Sequence, residues 1–270
     1  MKKTSFLIIM VVILAIISPF IWQVLTSFKL PSEIFIKPIR YLPSQLYLKN
    51  YNAIFTSGPP FATYIKNSAI VASGSTLFCV LFGSITAYAL TRLKVRANKL
   101  IMALFLSVAM FPQIAIVSPL FLLMRKAGLL NTYLGLIIPY TAFNLPLAVW
   151  MLTSFFKKLP LEIEEQALID GCGPLGVLGR IVFPLAAPGI FATSILVFIF
   201  AWNEFLFALV FNTRYTMRTV TVGITMFPGL YEIPWGTIFA ASTIVTLPLV
   251  LIVLLLQRQI ISGLTMGAVK

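Results

Sequence analysis

The stretch LPLEIEEQALIDGCGPLGVLGRIVFPLAAP, residues 159–188, decides the fold, because four of the seven carboxylates of an otherwise apolar chain lie within it. The four are Glu162, Glu164, Glu165 and Asp170. A charged side chain at the centre of a bilayer costs about 2.5 to 3.5 kcal/mol on insertion scales. The stretch is therefore expected to stand in water, while the chain on either side of it lies in the membrane.

The first half of this stretch predicts a short helix that ends in a tight turn. Pro160 suits the start of a helix, the acids after it complement the positive end of the helix dipole, and Asp170-Gly171 is a stop signal in which glycine can take the left-handed conformation. One side of the helix carries Leu161, Ala167 and Leu168, and another carries Glu162, Glu165 and Gln166. On these residues alone, a plain solvated loop helix is an equally good interpretation.

The second half predicts another short helix. Pro174 begins a second helix, and apolar residues then recur at helical spacing, at Leu175, Leu178, Ile181 and Val182. Pro184 and Pro188 should prevent this helix from running smoothly into the hydrophobic segment that follows.

The spacing of five residues in this hairpin resembles the cytoplasmic coupling motif of the permease subunits of binding-protein-dependent ABC importers. In that family the motif is Glu-Ala-Ala, three residues, Gly, nine residues, Ile, one residue and Leu-Pro. The matching residues here are Glu165, Ala167, Gly171, Ile181 and Pro184, whereas Gln166 and Phe183 depart from the usual Ala and Leu.

Three further stretches are similar to the carbohydrate-uptake branch of these permeases. They are the residues that flank the motif, Leu159-Pro160 and Ile169-Asp170-Gly171, the run WNEFLFALVF at 202–211, and the tail QRQIISGLTMGAVK at 257–270. The tail is similar to that of the second permease subunit in maltose-type importers, although one glycine common in that family is absent here. The resemblance therefore spans most of the chain.

The resemblance implies that the hairpin and the tail both contact a dimer of ATPase subunits. In the hairpin the implied contacts and supports are Glu162, Glu165, Gln166, Ala167, Leu168, Asp170, Gly171, Arg180, Ile181 and Pro184. In the tail they are Gly263, Leu264, Thr265, Gly267 and Ala268. Within the hairpin, Glu165 and Asp170 are assigned to polar docking and capping, Ala167 and Leu168 to the contact with the ATPase socket, and Gly171 to the turn.

The other partners also follow from the resemblance. They are a second homologous permease subunit, an extracytoplasmic solute-binding protein and a sugar cargo, such as an oligosaccharide of the maltose or trehalose kind. ATP and Mg would bind to the ATPase subunits and not to this chain. A prokaryotic inner membrane is the expected location.

Composition supports a membrane protein independently of any motif. Hydrophobic residues make up 60% of the 270 residues and charged residues only 10%, whereas soluble domains have about a quarter of their residues charged. The net charge of +13 is carried by residues that flank hydrophobic segments, where anionic lipid head groups attract them. Nucleic acid is therefore not expected as a partner. The cysteines, Cys79 and Cys172, lie in such different surroundings that neither a disulfide nor a metal site is indicated.

Hydropathy predicts an all-α integral membrane protein with six transmembrane helices at about residues 6–28, 65–90, 100–124, 132–156, 189–211 and 236–256. They form one transmembrane domain: residues 1–64 are the first helix and an outer segment, 65–156 helices two to four, 157–188 the coupling loop, 189–256 helices five and six, and 257–270 the tail. Prolines predict broken helices in the third span, at Pro112 and Pro119, and in the fourth, at Pro139 and Pro146.

Charge sets the expected orientation. The short loop after the second span carries Arg92, Lys94, Arg96 and Lys99, which is typical of a cytoplasmic loop. Both termini and the hairpin are then cytoplasmic. The first hydrophobic run is too long for a signal peptide and is expected to remain as a helix.

Polar or aromatic residues inside spans are candidates for a substrate path, because they can hydrogen-bond to sugars or stack on them. These candidates are Gln113, Asn144, Trp150, Asn203 and Glu204. Glu204 is the only acid within a predicted span, and both a functional role and a structural hydrogen bond stay open for it.

Three other classes of protein are alternatives to the permease. An ion-coupled secondary transporter would also have broken helices, but it usually needs several titratable groups in the membrane, and this chain has no histidine. An intramembrane enzyme would need a nucleophile with its base, for which no pattern is present. A scaffold subunit is the third. The chain also lacks the GxxxxGK[ST] phosphate loop, so it is predicted not to be an enzyme and to depend on an ATPase made elsewhere.

Overall fold

A computed structural model describes residues 3–56, 60–93, 97–227 and 233–265, with side chains from residue 6 to residue 257 within those ranges. All regular structure in the described ranges is helical. The helices are α1 Lys3–Ser27, α2 Pro31–Ile34, α3 Lys49–Thr56, α4 Phe61–Arg92, α5 Asn98–Ala109, α6 Gln113–Lys126, α7 Leu134–Phe156, α8 Leu161–Ile169, α9 Pro174–Val177, α10 Phe183–Leu185, α11 Ala187–Asn203, α12 Leu206–Phe211, α13 Val220–Ile224 and α14 Trp235–Thr265. A π-helical segment, Leu178–Val182, joins α9 to α10, and a 3₁₀ turn occupies Tyr215–Met217.

The described residues contain between four and six candidate membrane spans, in agreement with the predicted all-α membrane fold. Four helices are long and apolar enough to cross a bilayer alone: Phe6–Ser27, Phe61–Arg92, Leu134–Phe156 and Trp235–Gln257. Two further candidates are helix pairs with a sharp bend, namely Asn98–Ala109 with Gln113–Lys126 at 92°, and Pro174–Leu185 with Ala187–Asn203 at 85°. The second bend confirms that the hairpin does not run smoothly into the next span.

The predicted proline breaks have different outcomes in the third and fourth spans. Pro112 lies at the break between α5 and α6, as predicted, and precedes Gln113 at the start of α6. Helix α6, however, continues through Pro119, and α7 continues through Pro139 and Pro146, so the breaks predicted at these three prolines are wrong. Helices α5 and α11 both pack against α7, and such packing lets a membrane helix keep its course around a missing hydrogen bond.

Two other boundaries differ from the predicted spans. The fifth span does not continue as one helix to residue 211, because α11 ends at Asn203 and α12 starts at Leu206. The last span continues beyond residue 256, since α14 reaches Thr265 and includes the first part of the predicted tail. Gly263, Leu264 and Thr265 therefore end a helix, whereas Gly267 and Ala268 lie outside the described residues, as do Lys94 and Arg96 of the loop used to set the orientation.

The chain divides into two compact units, and the first comprises residues 1–65 and 220–248. In this unit the segment after α1 folds back on the end of that helix. The Asn50 amide donates to the carbonyls of Ser27 and Lys29 at 2.9 and 3.0 Å. The buried Lys29 ammonium donates to the Arg40 carbonyl at 2.7 Å and lies 4.1 Å from the centre of the Trp22 ring. Burial lowers the pKa of Lys29.

The second unit comprises residues 66–219 and 249–270 and contains both parts of the candidate functional site. Its central helix is α7, which packs against α5 and α11. At one end of α7 the predicted coupling hairpin follows directly, and near its middle α7 lines a cavity.

Candidate functional site

Helix α8 ends in the turn that the sequence predicted at Gly171. The backbone φ of Gly171 is +87°, a left-handed conformation that side chains disfavour. The Cys172 N–H donates to the Ala167 carbonyl at 3.0 Å, and the Gly171 N–H to the Leu168 carbonyl at 3.2 Å. These two bonds form a Schellman motif, in which left-handed glycine lets the chain satisfy the last carbonyls of the helix.

Glu164 is not in water, contrary to the prediction for all four acids of the hairpin. Only 4% of Glu164 is exposed, and its carboxylate accepts the Nε–H of Arg92 at 2.8 Å, while Nη2 of Arg92 lies 2.8 Å from the same oxygen as an ion-pair contact. The same Nη2 donates to the carbonyls of Phe156 and Leu159 at 2.7 and 3.1 Å. A buried carboxylate needs such a partner, because an unpaired charge would be costly there.

Arg92 therefore joins three parts of the chain that the sequence separates widely. It is the last residue of α4, Phe156 is the last residue of α7, and Glu164 lies in the first turns of α8. The planar guanidinium can donate several bonds in fixed directions, which suits this task better than a lysine ammonium. The arrangement fixes the hairpin to the ends of two membrane helices.

Apolar packing supports the same face of the hairpin. Ala167 is buried and is therefore a support of α8 within this chain, as are Val177 and Leu178 of the second helix. These residues form one cluster with residues at the ends of α4 and α7, among them Tyr88, Leu152 and Phe156. Of the residues expected on the apolar side of α8, Leu161 and Leu168 remain about half exposed.

The opposite face of the hairpin presents acids beside apolar side chains. Glu162, Glu165, Gln166 and Asp170 are all exposed. Beside them Ile169 is 85% exposed and Leu175 72% exposed, unusually high values for residues of this size on a short loop. An exposed apolar patch with a charged rim is typical of a protein interaction surface.

The second half of the hairpin contains a π-helical segment instead of the simple helix that was predicted. Arg180 and Ile181 lie within it, the former exposed and the latter partly buried. Pro184 follows in α10 and is exposed. A proline displaces the carbonyl four residues earlier, and a widened turn accommodates this displacement.

Four of the five path candidates converge on one cavity of about 510 Å³ in the second unit. Gln113 lines it from the start of α6, Asn144 from α7, and Asn203 and Glu204 from the end of α11. The volume lies within the range of small-molecule sites in proteins. The break at Pro112, between α5 and α6, and the break at Glu204, between α11 and α12, therefore both border this cavity.

Aromatic side chains supply much of the remaining wall. They are Phe111, Tyr140, Phe143, Phe200 and Phe207. The Asn144 amide donates to the Tyr140 carbonyl at 2.8 Å, and the Asn203 amide to the Ile199 carbonyl at 2.8 Å. Each of these bonds uses one amide N–H. Aromatic faces next to amide groups provide both stacking and hydrogen bonding to a ligand rich in hydroxyls.

The Glu204 carboxylate caps α12. It accepts the N–H of Phe207 at 2.8 Å and the N–H of Ala208 at 3.2 Å, and it also accepts the hydroxyl of Tyr140 from α7. The first amides of a helix have no partner within that helix, and a carboxylate there satisfies them and complements the helix dipole. These bonds favour the structural role that the sequence left open for Glu204.

Trp150 lies apart from the cavity, although it was grouped with the path candidates. Its residue is 51% exposed on α7. The α7 residues that line the cavity are Tyr140, Phe143, Asn144 and Leu147. Trp150 lies about one turn beyond Leu147, the last residue of α7 that lines the cavity.

Three residues of the site are not predicted by the sequence. Arg92 is expected there only as a topology signal and Glu164 only as a solvated acid, and Tyr140 is not among the candidates. For Tyr140 a signal existed, because Tyr140, Phe143, Asn144 and Leu147 share one helical face. Arg92 and Glu164 are 72 positions apart, and no local pattern pairs them. Within the described ranges, no group of three His, Cys, Asp or Glu side chains could hold a metal ion.

Comparison with known proteins points to one family. A family model described as the binding-protein-dependent transport system inner membrane component matches residues 79–265. The chain is 45% identical to the trehalose/maltose transport system permease protein of Thermococcus litoralis, over 99% of this chain and 97% of that protein. It is 41% identical to the sulfoquinovosyl glycerol transport system permease protein of Agrobacterium fabrum, over 93% of this chain and 88% of that protein. It is 39% identical to the trehalose transport system permease protein of Mycobacterium tuberculosis, over 93% of this chain and 92% of that protein.

A solved structure supports the fold. It is a bacterial ABC transporter involved in the import of the acidic polysaccharide alginate, and one of its chains matches with a TM-score of 0.80 at 19% identity, over 94% of both chains. At that identity the likeness speaks for the fold alone. It confirms the predicted all-helical architecture.

We expect Arg92→Gln to loosen the hairpin, because it leaves the buried Glu164 carboxylate without its cation. Removing one partner of a buried ion pair costs about 3 to 5 kcal/mol. Arg92→Lys should cost less, since it keeps the charge but not the planar fork. The melting temperature of the purified protein measures the effect, with Arg125→Gln at the exposed end of α6 as the control. Equal melting of Arg92→Gln and the control would show that the ion pair does not hold the hairpin.

A second pair of variants separates the structural from the functional role of Glu204. Glu204→Ala leaves three donors unpaired, at about 1 to 3 kcal/mol each, whereas Tyr140→Phe removes only one bond. We therefore expect Glu204→Ala to lower the melting temperature clearly more than Tyr140→Phe. If Glu204→Ala melts like the parent protein but no longer transports, the carboxylate acts on cargo or ions and is not mainly a cap.

Proposed function

The chain belongs to the family of inner membrane components of binding-protein-dependent transport systems, and we propose that it lines part of the path by which a sugar enters the cell. As a member of that family it is a permease subunit of an ABC importer. The energy would come from ATP, bound with Mg on a separate pair of ATPase subunits. A second permease subunit would complete the path, and an extracytoplasmic binding protein would deliver the cargo.

A sugar is the best-supported cargo. The relatives that are 45% and 39% identical to this chain are named for trehalose and maltose transport, and the relative at 41% is named for a glycoside of glycerol. The cavity provides matching chemistry, since aromatic side chains and the amides of Asn144 and Asn203 line it. The observation that carries this proposal is the convergence of Gln113, Asn144, Asn203 and Glu204 on one cavity.

The exposed face of the hairpin is the proposed docking surface for the ATPase. Glu162, Glu165 and Asp170 would meet cations on the partner, and Ile169 and Leu175 would enter an apolar socket. Leu168, half exposed beside them, would share that contact. Ala167 would act indirectly, since its contacts are with the core of this chain.

Movement of the ATPase would then reach the cavity through rigid elements. The hairpin is tied to α4 and α7 by Arg92, and α11 begins within two residues of the hairpin helix α10. Both α7 and α11 carry cavity residues. Closure of the ATPase subunits on ATP would shift the equilibrium between inward-open and outward-open states by favouring the contacts of one of them.

Transport assays test the cargo and the energy source together. We expect vesicles that contain the full complex to take up radiolabelled maltose or trehalose only with ATP, and Asn144→Leu to reduce uptake about 5- to 30-fold through the loss of one or two hydrogen bonds. Trp150→Leu, on the same helix but outside the cavity, is the matched control. Uptake that persists without the ATPase subunits would favour the ion-coupled alternative, and equal uptake by Asn144→Leu and Trp150→Leu would exclude a role for this cavity.

The turn at Gly171 gives a test of coupling. A Cβ added at Gly171 would meet no atom within 4 Å, so any defect must come from the backbone conformation and not from a clash. Asparagine tolerates the left-handed region, while aspartate does so less readily and β-branched valine poorly. We therefore expect ATP-dependent uptake to fall in the order Gly171→Asn, Gly171→Asp, Gly171→Val, with equal amounts of assembled permease on immunoblots. Full uptake by the valine variant would show that the turn is not needed for coupling.

A further inference from the structure

The segment of residues 35–48, which connects α2 to α3 in the first unit, carries its large apolar side chains on the outside. Six of them are between 61% and 73% exposed, namely Phe35, Ile39, Tyr41, Leu42, Leu46 and Leu48. Single exposed apolar side chains are common on proteins, but so many within one short segment mark a surface that contacts something other than water.

Polar side chains next to this segment point the other way. Lys29, Glu33 and Asn50 are each at most 6% exposed. Each has a partner inside the unit: the Lys29 ammonium donates to the Arg40 carbonyl, Glu33 accepts a bond from the Arg40 guanidinium at 3.4 Å, and Asn50 donates to two backbone carbonyls. Polar groups inside and apolar groups outside reverse the pattern of a water-exposed loop, and this reversal is expected where the surroundings are lipid.

A contact between two aromatic rings gives the depth of the segment. Tyr41 packs edge-to-face on Trp22 of α1, with 5.9 Å between the ring centroids. Trp22 precedes the end of α1 at Ser27 by five residues, which is about 7.5 Å along the helix. The candidate span Phe6–Ser27 has 22 residues and is therefore about 33 Å long, close to the thickness of a hydrocarbon core. Tyr41 therefore lies beside the end of the span, at the level where tyrosine and tryptophan are enriched in membrane proteins.

The apolar surface of the segment continues onto α1. From residue 6 to residue 25 no residue of that helix is buried, and Phe20 is 55% exposed. The segment is also tied to the end of α1 through the backbone, since the Tyr47 N–H donates to the Phe28 carbonyl at 3.0 Å. Whatever surrounds this end of the span therefore also meets the segment.

The charges of the segment suit lipid head groups. Lys37, Arg40 and Lys49 are exposed, whereas Glu33 is the only acid among residues 1–65. Long basic side chains can lay their stems along apolar surface and extend their charges to lipid phosphates. Apolar side chains combined with cations, in a segment parallel to the membrane surface, are typical of interfacial elements.

We propose that residues 35–48 form an interfacial anchor, which lies in the lipid where α1 leaves the bilayer. Leu42 and Leu46 enter the boundary of the acyl chains, and Lys37 and Lys49 bind phosphates of the head groups. The buried partners of Lys29 let the chain turn back at this depth without leaving an ammonium unsatisfied. The anchor fixes the depth of the end of α1, and it depends on neither the sugar nor the ATPase.

Spin labels test the anchor in the full complex, reconstituted into vesicles of phosphatidylethanolamine and phosphatidylglycerol. Leu42→Cys and Leu46→Cys each carry one nitroxide, in a complex whose other cysteines, Cys79 and Cys172 included, are replaced by serine. Asn52→Cys on the exposed side of α3 is the matched control in the same unit. Oxygen concentrates in lipid and the nickel complex NiEDDA in water, so we expect the ratio of their collision rates to be several-fold higher at 42 and 46 than at 52.

Two other results are distinguishable and would each overturn the proposal. A collision ratio at 42 or 46 equal to that at 52 would place the segment in water. Low collision rates with both reagents at 42 or 46 would mean that protein covers the segment, for example a second permease subunit. Melting temperatures equal to that of the unlabelled complex verify the fold, and the measurement needs neither cargo nor ATP, so its result is separate from the proposed transport function.

Discussion

The architecture of the second unit depends on one constraint: the Glu164 carboxylate, where the hairpin meets the ends of α4 and α7, is buried and must be paired. Arg92 pairs with this carboxylate and also donates to the carbonyls of Phe156, at the end of α7, and of Leu159, just beyond it. Paired buried charges add little net stability compared with an apolar core, but they are specific about geometry. The hairpin is therefore held in one orientation, with Glu164 and Ala167 inward and the remaining acids outward. The apolar cluster around Phe156 and Val182 supplies the packing stability that the ion pair does not.

The fixed attachment of the hairpin matters because α7, to which Arg92 ties it, also lines the cavity. Phe156, which contacts Arg92, and Tyr140, which lines the cavity, lie 16 residues apart on α7, about 24 Å along a continuous helix. In the proposed cycle, the continuity of α7 through two prolines would let this helix carry movement from the hairpin to the cavity. Helix α11 follows a comparable course from the hairpin to Glu204. The two breaks that border the cavity lie at Pro112, between α5 and α6, and at Glu204, between α11 and α12.

Features of the fold and of the site were predicted correctly where the residues that cause them are close together in the sequence. The turn at Gly171 and the break at Pro112 follow from the chemistry of one or two residues, and both were predicted correctly. The continuity of α7 depends on its neighbours, so counting prolines led to the wrong result. The burial of Glu164 depends on a partner 72 positions away, and for the same reason the hydropathy of the hairpin could not reveal it. Polar residues in spans were good indicators of the cavity, except Trp150, which lies on α7 about one turn beyond the last lining residue.

The cations of this chain also show why net charge is a weak guide to function. A value of +13 suggests a general attraction to anionic head groups, yet the structure assigns individual cations to different tasks. Lys29 is buried over an aromatic ring and binds a carbonyl, which suits a compact ammonium that can be dehydrated on one side. Arg92 binds Glu164 and the carbonyls of Phe156 and Leu159, a task for a guanidinium with several donors. Lys99 and Lys157 remain exposed at the surface. Exchanging lysine and arginine between positions 29 and 92 would keep the net charge and still disturb both sites, since geometry rather than charge distinguishes them.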